Sequence, residues 1–223
     1  MARRSNNRSH SRSYNRAYRS SPAADLLRAI VIALFIISLG VVLILYFRPL
    51  YYLDISLLHL DTASGLDAAA VRRNYDALCS YLFVWNRAPL TLPDFAMSEH
   101  GRIHFADCKR IFDVVQTVCL VTGILTLIGA LRRKHTSRCL YIAGSLTILI
   151  PLALGLLAVF QWNTVFTVFH TILFRNNYWL FDPRTDPVIL ILPDSFFFQC
   201  AVGILVIVLA GGIICLVSAR RKR

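Results

Sequence analysis

Two histidines in this sequence have the chemistry and the placement to act together in proton transfer. His104 lies shortly before one long apolar run, and His170 lies directly after another. Imidazole is the side chain that changes charge near neutral pH, so a pair of them could serve as general acid and base. Asp107 follows His104 by three residues on the same helical face, where it could orient the imidazole or equally pair with Arg110.

The segment from Phe169 to Phe198 has an unusual composition. It is too apolar to be a free loop, yet three prolines and five charged residues interrupt it. Such a segment is expected to lie among lipid headgroups rather than to cross a bilayer. Its polar side chains could contact a headgroup or an ester carbonyl, although an ordinary aromatic belt also explains Tyr178 and Trp179.

The composition predicts an all-α membrane protein with four transmembrane helices. The chain has 223 residues, of which 57% are hydrophobic, and this fraction is above that of soluble domains. Four uncharged runs of 18 or more residues approach the roughly 20 residues that a hydrocarbon core requires. The predicted transmembrane helices lie at residues 24–47, 111–131, 139–162 and 195–219.

The net charge of +12 is unevenly distributed, and this distribution predicts the topology. Residues 1–28, loop 132–138 and tail 220–223 together carry +14, whereas the remaining segments carry −2. Basic segments face the cytoplasm. We therefore predict a protein of the cell membrane whose two termini both lie on the cytoplasmic side. Residues 1–22 are expected to be a disordered basic tail. Residues 48–110 are expected to form a small, mostly helical extracytoplasmic domain, and residues 163–194 an extracytoplasmic, interfacial segment.

This topology brings the two histidines to one place. The second and third transmembrane helices are joined by a short loop and must be antiparallel neighbours. Their outer ends, which carry His104 and His170, should therefore converge at the extracytoplasmic face.

Local patterns predict three further features. Residues 66–83 have helical spacing, a helix should begin at about Ile103, and the third transmembrane helix should continue to about Phe174 because no helix breaker intervenes. Cys79 and Cys108 both fall in the outer region, where they could form a disulfide or remain free thiols.

Two stretches resemble a known family. FAMSEHGRIHFADCKRIF (Phe95 to Phe112) and FHTILFRNNYWLFDPRTDPVILILPDSFF (Phe169 to Phe197) resemble the lipoprotein intramolecular transacylase (Lit)-like family of four-span integral membrane proteins from Gram-positive bacteria. Cys108 departs from that pattern, which usually has valine at this position.

The resemblance implies an acyltransferase. One acyl chain would move from a diacylglyceryl ester to the α-amino group of a lipoprotein's N-terminal cysteine, giving a lyso-form lipoprotein. His104 and His170 would be the catalytic acid and base, in an order that the sequence leaves open, with Asp107, Asn177 and Trp179 in support. The reaction needs no metal or other cofactor. The expected partners are diacylglyceryl-modified lipoproteins and membrane phospholipid, with no nucleic acid.

Two other functions are compatible with the residues alone. The chain could bind a lipid or a protein partner without catalysis, in which case the histidines would be dispensable. It could also be a membrane haem protein in which the two histidines ligate one iron, although haem ligands usually lie deeper within a helical bundle. The oligomeric state is not predicted by any feature of the sequence.

Overall fold

Helices account for all the regular secondary structure in residues 20–222, which are the part of the chain that the computed structural model describes. The predicted tail therefore lies almost entirely outside the described residues. In chain order the α-helices are α1 (Pro22–Tyr46), α2 (Arg48–Leu57), α3 (Leu60–Ser64), α4 (Ala68–Tyr81), α5 (Glu99–Leu131), α6 (Ser137–Phe160), α7 (Trp162–Leu173) and α8 (Asp194–Arg221). A 3-10 helix at Pro187–Ile191 precedes α8.

Four of these helices, α1, α5, α6 and α8, are long and apolar enough to cross a membrane, which confirms the predicted number of spans. Many of their leucine, isoleucine and valine side chains are exposed on the outside of the bundle. An apolar outer surface of this kind is suited to lipid. Small residues bring α6 and α8 together, because a methyl group added at Gly144 would lie only 2.8 Å from the backbone oxygen of Gly212.

The segment between α1 and α5 packs as a small helical layer over one end of the bundle. Tyr51 of α2 stacks on Tyr75 of α4 with ring centroids 3.6 Å apart, and Phe196 of α8 meets both rings edge-on. The Tyr51 hydroxyl donates a 2.8 Å hydrogen bond to the backbone oxygen of Ile191. These contacts join the layer to the 3-10 helix and to α8.

Two predicted helix boundaries are wrong. Helix α5 begins at Glu99 rather than Ile103, because the Ser98 side chain caps it by accepting a hydrogen bond from the Gly101 N–H. The helix predicted to run on to about Phe174 is interrupted at Gln161, whose φ of −139° and ψ of 47° are not helical. No proline or glycine causes this break. It accompanies a tertiary contact, the edge-on packing of Trp162 against Phe198 of α8.

The helix predicted at residues 66–83 forms as the slightly shorter α4. The side chain of Asp67 caps it by accepting a 2.7 Å hydrogen bond from the N–H of Ala70. Of the two alternatives for Cys79 and Cys108, the structure has free thiols. Cys79 is buried in the helical layer, whereas Cys108 lies beside His104.

Candidate active site

The structure brings the two histidines together, but not by the predicted route. The prediction that the second and third transmembrane helices are packed neighbours is wrong, because α5 and α6 both pack against α1 and hardly contact each other. His104 lies in the second turn of α5 and His170 in the last turn of α7. Their ring centroids are 6.2 Å apart, with 31° between the ring planes. A substrate lying alongside both rings could therefore pass a proton to or from one imidazole, while its carbonyl oxygen accepts a hydrogen bond from the other.

Aromatic rings from the segment after α7 enclose the pair. Phe174 and Phe181 meet the His104 ring edge-on, at centroid distances of 4.7 and 5.3 Å. Trp179 lies 4.8 Å from the His170 ring. His104 is consequently only 7% exposed. The segment predicted to be interfacial thus folds back beside the two imidazoles and shields His104 from water, whereas His170 remains partly exposed.

One hydrogen bond fixes the tautomer of His170. Its Nδ1 lies 2.7 Å from the backbone oxygen of Phe166, one helical turn earlier. A carbonyl oxygen can only accept a hydrogen bond, so Nδ1 carries the proton and Nε2 of the neutral ring keeps its lone pair. Nε2 is the basic nitrogen that a proton-transfer reaction requires.

The surroundings of His170 should keep its ring neutral at lower pH than a free imidazole. Partial burial lowers the pKa of His170 below the ordinary 6.5, and this effect outweighs the opposing influences of the bond to Phe166 and of Asp194. Because protonation would occupy Nε2, we expect the basic form to persist on acidification until the pH falls below 6.5. NMR titration of the histidine ring protons, assigned with a His170→Gln variant, measures this value. A midpoint at or above 6.5 would contradict it.

Two buried nitrogen atoms at the site have no hydrogen-bond partner among the described residues. One is Nδ1 of His104 and the other is Nε1 of Trp179. The other ring nitrogen of His104, Nε2, lies 3.4 Å from the Cys108 sulfur. Buried polar atoms are nearly always paired in native proteins, so these two nitrogens are candidates for contacts with a bound substrate.

Asp107 does not contact His104 in the structure. Of the two alternatives, it adopts the ion pair with Arg110, at 2.8 Å. Its other carboxylate oxygen accepts a 3.4 Å hydrogen bond from the Asn176 side chain. Asn177 is exposed, and its backbone oxygen accepts from the N–H of Leu180. We call residues 174–193, which follow α7, the covering segment. Asn176, beside the predicted Asn177, thus makes one of the links between the covering segment and α5.

Asp186 joins two segments of the site, and the residue types in the sequence did not single it out. Its buried carboxylate accepts hydrogen bonds from the Ser98 N–H and the Thr185 hydroxyl, both at 2.8 Å. A methyl group added at Gly101 would collide with this carboxylate. Asp186 thus holds the covering segment against the start of α5, one turn before His104. Its place in the second family-like stretch was the only sequence signal for it.

A metal ion requires a group of ligand side chains that lie close together. Among residues 20–222, no three histidine, cysteine, aspartate or glutamate side chains are grouped so that they could hold a metal ion.

Comparisons with known proteins agree with this architecture. The sequence model of the family described as lipoprotein intramolecular transacylase Lit matches residues 26–197. An in meso structure of the membrane-integral lipoprotein intramolecular transacylase Lit from Bacillus cereus has 35% sequence identity and a TM-score of 0.82, covering 91% of this chain and 100% of that chain.

Structures of two variants of the Bacillus cereus protein match as well. One has a histidine replaced by arginine, with 34% identity and a TM-score of 0.78 over 96% of each chain. The other has a histidine replaced by alanine, with 36% identity and a TM-score of 0.78 over 89% of this chain and 91% of that chain. No curated protein sequence matches the chain significantly.

Proposed function

Because the chain belongs to the lipoprotein intramolecular transacylase family, which is a family of membrane enzymes, we propose that it converts diacylated lipoproteins to the lyso form. One acyl chain leaves a glyceryl ester of the N-terminal S-diacylglyceryl-cysteine and joins the α-amino group of the same residue. His170 acts as the general base, and His104 donates a hydrogen bond to the reacting carbonyl. The reaction occurs at the extracytoplasmic face of the cell membrane, with both termini cytoplasmic.

The first chemical requirement is a neutral amine. An α-amino group has a pKa of about 8 in water, so most of it is protonated and non-nucleophilic at neutral pH. The first proton of the ammonium group is released to solvent, which leaves a minor fraction of neutral amine. Nε2 of His170 has a free lone pair because Nδ1 is bonded to the Phe166 carbonyl, and it can take the second proton, which the nitrogen loses as it attacks the carbonyl carbon. This bond is the reason for assigning the base to His170 rather than to His104.

The second requirement is stabilisation of the tetrahedral intermediate. Attack of the nitrogen on the ester carbon places negative charge on the carbonyl oxygen, which hydrogen-bond donors in a water-poor site stabilise strongly. The unpartnered Nδ1 of His104 and Nε1 of Trp179 are suited to this role. The Cys108 thiol, by donating to Nε2 of His104, would keep the proton of that ring on Nδ1.

The intermediate then collapses to products. The bond between the carbonyl carbon and the glyceryl oxygen breaks, and that oxygen receives the proton held by His170. An amide replaces an ester, which is a downhill exchange. The nucleophile and the electrophile belong to one molecule, so the protein mainly orients them. The chemistry needs no covalent intermediate on the enzyme.

The observation that carries this proposal is the 6.2 Å approach of two imidazoles within an aromatic enclosure. Its direct test is expression of the full chain in a host whose lipoproteins keep a free α-amino group. Transfer within one molecule leaves the total mass unchanged, so the N-terminal lipopeptide must be fragmented by tandem mass spectrometry. We expect an amide-linked acyl chain and a monoacylglyceryl group only in cells that express the chain. Unaltered diacylglyceryl-cysteine would overturn the proposal and favour a non-catalytic, lipid-binding role.

A further inference from the structure

A cleft that contains charged side chains lies beside the two histidines. It has a volume of about 310 Å³, and Asp107, Arg110, Phe174, Arg175 and Asn176 are among the residues that line it. The cleft shares a wall with the candidate active site. That wall is the buried Phe174, whose ring centroid lies 4.7 Å from that of His104 and 5.6 Å from that of His170.

Helix α7 carries exposed apolar side chains. Phe169 and Ile172 are 54% and 74% exposed, and the whole helix has no buried residue. An exposed apolar face on a membrane protein is suited to lipid acyl chains. The cleft has an apolar part, formed by Ile111, Leu173 and Phe174, and it also carries two arginines, one aspartate and one asparagine.

The charges in the cleft do not balance. Arg110 is paired with Asp107 at 2.8 Å. Arg175 is exposed and forms no ion pair with any described residue between 20 and 222. The cleft therefore has one positive charge in excess, and that charge is available to a ligand.

The substrate of the proposed function has an apolar part and a polar part. Its acyl chains belong in lipid, but its polypeptide leaves the same cysteine that carries the reacting amine. The residues directly after that cysteine must therefore leave the site within a few ångströms of the two imidazoles. Because Phe174 lines the cleft and also packs near both imidazoles, the cleft is close enough to receive this polar stretch.

We propose that this cleft binds the substrate peptide immediately after the lipidated cysteine, and that Arg175 makes it favour acidic over basic side chains there. This inference rests on the proposed function and adds a peptide subsite to it. An exposed charge pair contributes about 0.2–1 kcal/mol, so we expect roughly a threefold preference for the acidic peptide, given that 1.4 kcal/mol corresponds to tenfold.

A competition experiment tests the subsite. The purified full chain receives equal amounts of two synthetic S-dipalmitoylglyceryl-cysteinyl peptides, one with two aspartates and the other with two lysines after a serine that follows the cysteine. Products are quantified by loss of the reactive α-amine and by tandem mass spectrometry. The acidic peptide should react about threefold faster. This preference should shrink from about 0.01 M to 1 M salt, as the Debye length falls from about 30 Å to 3 Å.

Charge variants identify the residue responsible. Arg175→Gln should abolish the preference and Arg175→Glu should invert it. Arg184→Glu serves as the matched control, because Arg184 is an exposed arginine of the same segment that pairs with Asp182 outside the cleft. That control should retain the wild-type preference. Product formed equally from both peptides by the wild type, or an unchanged preference in Arg175→Glu, would overturn the subsite. Absence of product from either peptide would instead refute the proposed function.

Discussion

A His170→Gln variant is expected to form the lyso product at least about a hundredfold more slowly than the wild type. General acid–base catalysis by one positioned side chain typically contributes 10²–10⁴-fold to a rate. Glutamine can still donate a hydrogen bond to the Phe166 carbonyl, which accepts from His170 in the structure. It cannot accept and return a proton near neutral pH. The measurement is the initial rate of amide formation on a synthetic diacylated lipopeptide in proteoliposomes.

The matched control for this variant is Thr171→Ala, which alters the next residue of α7. Thr171 is exposed, and its hydroxyl bonds only to the backbone oxygen of Thr167 among the described contacts. The control should keep most of the wild-type activity. A His170→Gln protein that is as active as Thr171→Ala would remove His170 from the base role.

A His104→Phe variant should lose about 10²–10³-fold in rate, the usual cost of removing one donor to a tetrahedral oxyanion. Phenylalanine preserves the aromatic packing against Phe174 and Phe181 and removes a buried nitrogen that has no described partner. The variant should therefore be folded, with a melting temperature no lower than that of the wild type. A change in kcat with little change in KM would identify a contact made in the transition state.

The same substitution one helical turn earlier supplies the control. His100 is exposed and stacks on Tyr178 with ring centroids 4.1 Å apart, which phenylalanine can reproduce. His100→Phe should be nearly as active as the wild type. Equal losses in the two variants would indicate a general disturbance of α5 and would count against a specific role for His104.

The sequence was sufficient to predict part of the large-scale arrangement. Hydropathy predicted the four long helices. These features depend on runs of one residue class, which a bilayer constrains strongly. The short loop at residues 132–138 also predicted that α5 and α6 are packed neighbours, which is wrong because both pack against α1 instead. The meeting of His104 with His170 depends on α7, the separate helix that follows the break at Gln161.

The finer features depended on contacts between distant segments. No residue type marks the break at Gln161, which accompanies the packing of Trp162 on α8. By helical spacing alone, Asp107 could contact either His104 or Arg110, and the structure pairs it with Arg110. The bond from Ser98 to Asp186 joins residues far apart in the chain. The contacts of His170 with Phe166 and of His104 with Cys108 are different, because residues four apart in a helix are neighbours and the sequence alone predicts such contacts.

The two halves of the candidate site are supported in different ways. His104 belongs to a long helix whose start is pinned by the buried carboxylate of Asp186. His170 belongs to a short helix that has no buried residue and turns large apolar side chains away from the protein. In a cell, the material against those side chains is the bilayer itself. Under the proposed function, lipid against α7 would form one side of the site, and the thickness and order of the membrane would help to set how closely the proposed base, His170, approaches His104.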